Sequence, residues 1–508
     1  MRDFLPEPLI LLARELKKQT GKPLYLVGGC VRDFLAGFSL ASSDFDLCAP
    51  VPAETFKKIA TACGFRADAT YARTGTVKIS KITAKNTDGA KKDIENKVRP
   101  SSVTCGDTFP RGGRLDLAEN CTSGGRLDKV EAEYAAFRSD KYIRGEHTPA
   151  ETFFTEDISL DARRRDFACN AIYYDISADS FVDPLGGIDD VNAKRLRTAD
   201  APDKVFGEDG LRLLRLARFA GTTGFTPTAE TIASAKKNAE LIADIAPERV
   251  FAELKLILAA DEKYGNERGV YEALKILDET RVLDGIFPEL TAGRNLKQRA
   301  DFHDHDVLEH SLRAAAYSVR AGGEDVPAPF EVRLAALLHD IGKPAAYFRD
   351  GKFSDHPNMG AEICRAALTR LKAPVKTIAF IEDLTRWHMY DYDLKTKENK
   401  LRKFIVSHYD IFTALLLVKQ ADYSACKDDL SPAPCVIRLK NLEAKMRAEN
   451  VPFSLKELAV RGNEIAPLLP SPRYVGATLN ELLLHCAMIP SDNVKERLLR
   501  LAALAEGK

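Results

Sequence analysis

Val27-Gly28-Gly29-Cys30-Val31-Arg32-Asp33, followed by Ser42-Ser43-Asp44-Phe45-Asp46-Leu47, is the stretch on which the reading of the amino-terminal half turns. Pro23–Val27 is a short apolar run that predicts a strand ending at a pair of glycines. Bare backbone at such a turn lets amide groups approach an anion, and a helix starting there adds its positive end. Asp44 and Asp46 stand at i and i+2, so on a strand both carboxylates point to one face. Convergent acids at that spacing repel each other and are poor for stability. They make chemical sense as oxygen ligands for Mg²⁺ that also touches a triphosphate. Taken singly, Gly-Gly is most often a tight turn and Asp-x-Asp a solvated loop; together and in this order they point to catalysis.

Working outward, a third acid is available on the segment Val130–Phe137, where Glu131 and Glu133 share a face. Next comes Arg163-Arg164-Arg165-Asp166-Phe167-Ala168-Cys169-Asn170-Ala171. Guanidinium forks suit phosphate and a carboxylate accepts from a ribose hydroxyl, although a solvated charge run is the plainer account. In Glu208-Asp209-Gly210-Leu211-Arg212-Leu213-Leu214-Arg215-Leu216-Ala217-Arg218-Phe219, Asp209 and Arg212 are i and i+3 on a predicted helix. An ion pair accounts for them simply. Base reading is the sharper alternative. Arg donates to a ring nitrogen while Asp accepts from an exocyclic amine, an edge that cytosine and adenine share and that uracil and guanine reverse.

The whole sequence sets the frame. Its 508 residues carry 74 Lys+Arg against 74 Asp+Glu, which excludes a grossly basic nucleic-acid binder but allows local basic surface. The length suggests several domains, and the 45% hydrophobic content is that of a globular chain rather than a disordered one. No apolar stretch approaches the ~18 residues of a membrane span, and the first residues are too polar for a signal peptide. Ten cysteines without a CxxC pair indicate reduced thiols and a cytoplasmic protein.

Strand and helix signals alternate in the first half: a helix over about Pro6–Lys18, then strands at Pro23–Val27, Val77–Ile82, Val130–Phe137 and Ala171–Asp175. From about Asp203 onward, 3.6-residue periodicity dominates. The expected class is α+β: a small mixed sheet with helices, then an all-α body. Expected domains are 1–198 (head, with an insertion at 84–128), 199–295 (helical neck binding nucleotide and RNA), 296–430 and 431–508. The insertion carries GGRLD twice, at Gly112–Asp116 and Gly124–Asp128, and reads as a surface excursion between two strands. Its Cys105 and Cys121 receive no function.

Six of the nine histidines fall between 303 and 388. His310, His339-Asp340, His356, His388 and Asp422 recur in the order H…HD…H…H…D, with Ile341-Gly342-Lys343 directly after the His-Asp pair. Imidazole and carboxylate ligands at helix ends suit a transition metal that binds phosphate and activates water.

With these residues in view, the head resembles the tRNA nucleotidyltransferase/poly(A) polymerase family, in particular bacterial-type CCA-adding enzymes with a polymerase-β-like head. The family's GGxVRD is Gly28–Asp33, its DxD is Asp44–Asp46 and its GTV is Gly75–Val77. RRDFxxNA is Arg164–Ala171, EDxxRxxR is Glu208–Arg215, and ERxxxEL is Glu248–Leu254. The resemblance implies metals on Asp44 and Asp46, with Glu133 as third carboxylate from a segment similar to EVTTFR. It implies a nucleotide site built from Gly28, Gly29, Arg32, Asp33, Arg164, Arg165, Asp166 and Asn170. Asp209 and Arg212 would template the incoming base, with Arg215 and Arg218 alongside. The family's flexible loop YxDxRxP appears as Tyr142–Pro149 with Arg144 in place of its Asp, a departure that favours partial CC- or A-addition. The histidine-rich segment resembles an HD-domain phosphohydrolase: His310, His339, Asp340 and Asp422 as core metal ligands, His356 and His388 completing a two-metal version, Lys343 on the substrate phosphate. The last segment, about Phe453–Leu501, resembles a tRNA-contacting tail.

The implied activity is construction or repair of the 3′-terminal CCA of tRNA from CTP and ATP with Mg²⁺, with release of pyrophosphate, beside a metal-dependent phosphohydrolase in the body. Implied partners are tRNA, CTP and ATP, and no membrane. Three rivals stay open: a poly(A) polymerase, a partial CC- or A-adding enzyme, and a phosphohydrolase with a vestigial head.

Overall fold

The strand that the glycine pair terminates, β1 (Tyr25–Val27), lies inside a seven-stranded sheet. Its companions are β2 (Phe45–Ala49), β3 (Arg66–Ala67), β4 (Thr76–Ala84) and β5 (Leu127–Ala136), with Tyr173–Asp175 and Ser180–Val182 closing one edge. The order is β3-β4-β5-β2-β1, then the Tyr173 and Ser180 strands. Neighbours run antiparallel except β2 and β5, which are parallel. This computed structural model describes residues 1–40, 45–68, 70, 75–84, 127–141, 150–299, 301, 303–318 and 328–504.

Local chemistry explains the frame. The first helix, Glu7–Thr20, buries Leu9, Leu12, Ala13 and Leu16 on one stripe and stops at Gly21, whose φ of 70° is the left-handed cap that glycine adopts without strain. Phe56 stacks on the buried ring of Tyr134, centroids 3.7 Å apart, and Tyr134 Oη donates to Val51 O at 2.5 Å. Burial of the two rings fixes β5 against the helix Ala53–Ala62. The expected insertion does join two paired strands: β4 and β5 form an antiparallel pair from Thr76↔Ala135 out to Ala84↔Leu127. Residues 85–126, including Cys105 and Cys121, lie outside the described residues.

The chain divides into two compact units. Met1–Ser139, Thr152–Ala162 and Asn170–Ile188 make the first; Asp140–Glu151, Arg163–Cys169 and Asp189–Lys508 make the second. The second is helical almost throughout, as the periodicity beyond Asp203 predicts. At its centre the helices Val307–Ser318, Phe330–Leu338, His356–Arg370, Val375–Trp387 and Tyr409–Lys427 pack together. Its carboxy-terminal helices share an apolar cluster with the preceding ones, in which Leu401, Ile405, Leu439, Met446 and Leu498 are buried. Among the described residues no helix is long and apolar enough to cross a membrane.

Candidate active site and metal centre

In the first unit, the parallel register of β2 and β5 sets Asp46 directly beside Glu133. Residues opposed in register point to the same face, so the two carboxylates share one exposed surface of the sheet. On the other side of β2, Val27 opposes Asp46. The next residue, Gly28, has φ of 82°, and a Cβ placed there would come within 3.0 Å of Asp46 Oδ2. Gly28 is thus required both by its backbone and by the carboxylate it faces. Glu133 has Lys78 Nζ at 3.8 Å, a solvent-screened pair. Asp44, the other half of the Asp-x-Asp pair, lies outside the described residues, as does the loop 142–149 that contains Arg144.

Arg32 and Asp33 are not on that surface. They are 2% and 0% exposed, and Arg32 Nε and Nη2 both donate to Asp33 Oδ1, at 2.9 and 2.6 Å. Arg32 Nη1 donates to Asn170 Oδ1 at 2.8 Å. A sequence-remote triad thereby locks the helix Gly29–Leu35 to the start of the Tyr173 strand, and its burial gives these three residues a positioning part.

The arginine-rich motifs meet one another in the second unit. Arg215 Nε and Nη2 donate to Asp166 Oδ2 at 2.8 and 2.5 Å, while Asp166 Oδ1 accepts from Phe167 N. Arg212 is buried; Nη1 donates to Val205 O at 2.8 Å and to Glu208 at 3.1 Å, and Nη2 to Arg164 O at 2.6 Å. Arg218 pairs with Glu253 at 3.1 Å and lies over the ring of Phe219. One expectation is corrected here. Asp209 does not share a helical face with Arg212: it is extended, just ahead of the helix Leu211–Thr223, and its Oδ1 accepts from Leu211 N at 3.0 Å. Gly210 intervenes with its α-carbon against Leu241, where a Cβ would come within 2.7 Å of the backbone oxygen, so the chain turns there before the helix begins. Arg165 is half-buried beside these groups.

The histidines converge in the same unit. His310 Nε2 is 3.1 Å from both His339 Nε2 and Asp422 Oδ1. Asp340 bridges to the other pair: Oδ2 is 3.2 Å from His339 Nε2, and Oδ1 is 3.2 Å from His356 Nε2 and 3.6 Å from His388 Nε2. His356 and His388 face each other at 3.3 Å. Lys343 Nζ lies 2.6 Å from Asp340 Oδ2 and donates to Gln298 Oε1 at 2.6 Å. Helix ends deliver the ligands, as the sequence predicts: His339 and His388 follow the last residues of their helices and His356 begins one. Gly342 permits this closeness, because a Cβ there would meet His356 O at 2.2 Å.

Electrostatics expose the strain of so many ligands in one place. Burial pushes His388 down to about 4. Burial pushes His339 the same way, but the Asp340 and Asp422 carboxylates outweigh it and lift the imidazole to about 10. Asp340 and Asp422 resist the upward push of burial and fall well below the carboxylate range, held there chiefly by His339 and Lys343 and by His310 and His339 respectively. Neither Asp340 oxygen receives a well-directed hydrogen bond. His339, His356 and His388 each turn Nδ1 to a carbonyl three residues back, at 2.8, 2.8 and 2.6 Å, leaving Nε2 for the centre. Buried carboxylates among imidazoles aligned by their outer nitrogens are a donor set that would suit a divalent cation.

Sequence reasoning missed Lys419. It is fully buried, and its Nζ donates to His388 O and Tyr390 O at 2.6 and 2.7 Å, tying the helix that carries Asp422 to the turn that carries His388. A lysine directly after the apolar run Leu415–Val418 and three residues before Asp422 is the available signal. Gln298 had no such signal.

Fold and site together define a nucleotidyltransferase head joined to an HD-type metal centre. The comparisons agree. Residues 114–197 match the poly A polymerase head domain, 224–293 the probable RNA and SrmB-binding site of polymerase A, and 307–415 the HD domain. The A-adding tRNA nucleotidyltransferase of Deinococcus radiodurans is 32% identical over 416 residues, covering 78% of this chain and 89% of that one. The CC-adding tRNA nucleotidyltransferase of Thermus thermophilus is 30% identical over 351 residues, 67% and 75% of the two chains. The crystal structure of the Bacillus stearothermophilus CCA-adding enzyme in complex with CTP shares the fold, with a TM-score of 0.61, 21% identity and coverage of 99% and 98%. The chain belongs to the tRNA nucleotidyltransferase/poly(A) polymerase family and carries an HD domain.

Proposed function

We propose that this chain transfers nucleotides from CTP and ATP to the 3′ end of tRNA, building or repairing the terminal CCA and releasing pyrophosphate. The pairing of Asp46 with Glu133 across β2 and β5, with Gly28 closed up against Asp46, carries the reading. In this reading the primer 3′-hydroxyl attacks the α-phosphorus in line as pyrophosphate leaves opposite. Asp44 and Asp46, with Glu133 as third acid, would hold magnesium, which would supply Lewis-acid stabilisation of the charge that develops on the phosphoryl oxygens. The bare Gly28–Gly29 backbone gives the triphosphate access to Asp46. Arg32, Asp33 and Asn170 hold that turn in place. Arg164, Arg165 and Asp166 serve ribose and phosphates, and Asp209 with Arg212 reads the base edge, with Arg215 and Arg218 as further nucleotide-binding residues. The finer division into 1–198, 199–295, 296–430 and 431–508, and a cytoplasmic location, belong to the same reading.

Incubating transcripts that lack A, CA or CCA with CTP, ATP and Mg²⁺, then sequencing their ends, tests it. Full CCA ends are the expected result, and loss of incorporation in Asp46→Ala accompanies it. Absence of CMP incorporation in the unaltered protein overturns it. A second reading, partial CC- or A-addition, is favoured by Arg144, and the extent of likeness to the A-adding relative favours its A-adding form. That form predicts AMP added only to ends that already carry CC.

The HD centre is read as a phosphohydrolase for phosphate esters such as 2′,3′-cyclic phosphates. Its residues His310, His339, Asp340, His356, His388 and Asp422 would hold transition-metal cations, and Lys343 would neutralise substrate phosphate.

A further inference from the structure

Three of the four cage imidazoles fix their rings by turning Nδ1 to a backbone carbonyl. His310 does not. It is 0% exposed, and its Nδ1 is buried with no hydrogen-bond partner among the described residues. His303 stands against it, ring centroids 5.0 Å apart and planes at 89°, and His303 Nδ1 is likewise buried without a partner among the described residues. Cys426 completes the group from the end of the helix Tyr409–Lys427; its thiol is buried, 3.4 Å from Asp422 O and 3.9 Å from Tyr392 Oη. One ligand atom from each of His303, His310 and Cys426 lies within 4.8 Å of the other two. Orphaned ring nitrogens beside a thiol are expensive to leave unmade inside a protein.

We propose that His303, His310 and Cys426 form a separate cation subsite beside the cage, selective for a borderline or soft divalent metal of the zinc class. The donor set decides the class. The cage offers imidazoles and carboxylates, whereas this position adds sulfur, which hard cations avoid. His310 belongs to both groups: its Nε2 lies toward His339 and Asp422, and its Nδ1 is the ring nitrogen without a partner among the described residues. Binding converts the Cys426 thiol to a thiolate and releases its proton to solvent, so charge enters with the metal and leaves with the proton. Three protein ligands leave a fourth coordination position open.

Cobalt(II) is the probe. The full chain is stripped of metal with a chelator, loaded with Co²⁺ and followed by absorption spectroscopy. Expected are cobalt d–d bands from the cage plus a thiolate-to-cobalt charge-transfer band in the near ultraviolet. Cys426→Ser removes the charge-transfer band and keeps the d–d bands, Cys435→Ser changes neither, and His303→Ala lowers cobalt retention at this position by roughly tenfold or more. Cage d–d bands without the charge-transfer band, or a charge-transfer band that survives Cys426→Ser, overturns the proposal while leaving the HD reading intact. Failure to bind cobalt at all overturns both. Should Cys426→Ser lose its native circular dichroism, His303→Ala decides alone: an unchanged charge-transfer band overturns the subsite.

Discussion

Asp46 and Glu133 stand on neighbouring strands with exposed carboxylates, whereas Asp340 and Asp422 are almost wholly inside the protein among four imidazoles. Both are oxygen-ligand clusters, and their surroundings separate what they can do. An open sheet face leaves acids hydrated, so a cation held there would be free to come and go with substrate. A buried cage holds its carboxylates at a large desolvation cost, so cations bound there would act as resident parts of the fold. One chain therefore presents acids open to solvent on one sheet and acids closed off from it among imidazoles.

The largest effects break this comparison at its centre. Asp46→Ala should lower nucleotide incorporation by about 10³-fold or more, since several kcal/mol of charge stabilisation is lost, while hydrolysis of a cyclic phosphate is unchanged. Asp340→Ala should do the reverse. Single-turnover incorporation and steady-state hydrolysis measured on both variants check the pair; if either substitution silences both reactions, the two sites are not independent.

Next in size is the buried triad behind the open site. Arg32→Met removes the guanidinium that donates twice to the buried Asp33 carboxylate, and should cost about 3–5 kcal/mol of stability in chemical denaturation. A loss below ~1 kcal/mol would mean that the pair is not closed off from water.

Lys419→Met sharpens the account of the cage. His388 keeps its ring but loses the clamp on its carbonyl, so metal affinity on that side should fall about 10–100-fold while the His310 side is retained. Metal titration that shows one weakened and one unchanged class of site is the expected outcome, and uniform weakening contradicts it.

The smallest effect concerns acid stability. Burial would raise the Glu382 pKa, but Arg365 and Arg386 hold it below the ordinary glutamate value. A folded pKa below the unfolded one adds stability that is fully present above the unfolded value and disappears as pH falls through the folded value. Glu382→Gln should therefore cost up to about 1 kcal/mol at neutral pH and almost nothing in acid, below the ordinary glutamate range. Equal losses at both ends of the range would assign the effect to packing.

Much of this was legible in the residues. Gly28–Gly29 followed by Asp46, the Arg164–Asp166 and Asp209–Arg215 blocks, and the His310…His339-Asp340…His356…His388…Asp422 order are local patterns whose chemistry needs no partner to be recognised. Periodicity separated a mixed sheet from a helical body, and the helix expected at Pro6–Lys18 is found at Glu7–Thr20. Register and burial were not legible. That Glu133 rather than Glu131 faces Asp46 follows from a parallel pairing between strands more than eighty residues apart. Asp209 is extended just ahead of the helix, and Gly210 beside it packs against Leu241, a contact no local pattern announces. Arg32 turned inward because Asn170, far along the chain, offers it an amide oxygen. Sequence determines which ligand chemistries are present; only tertiary packing decides which carboxylates meet water and which must meet a cation, because desolvation depends on what the fold brings around them.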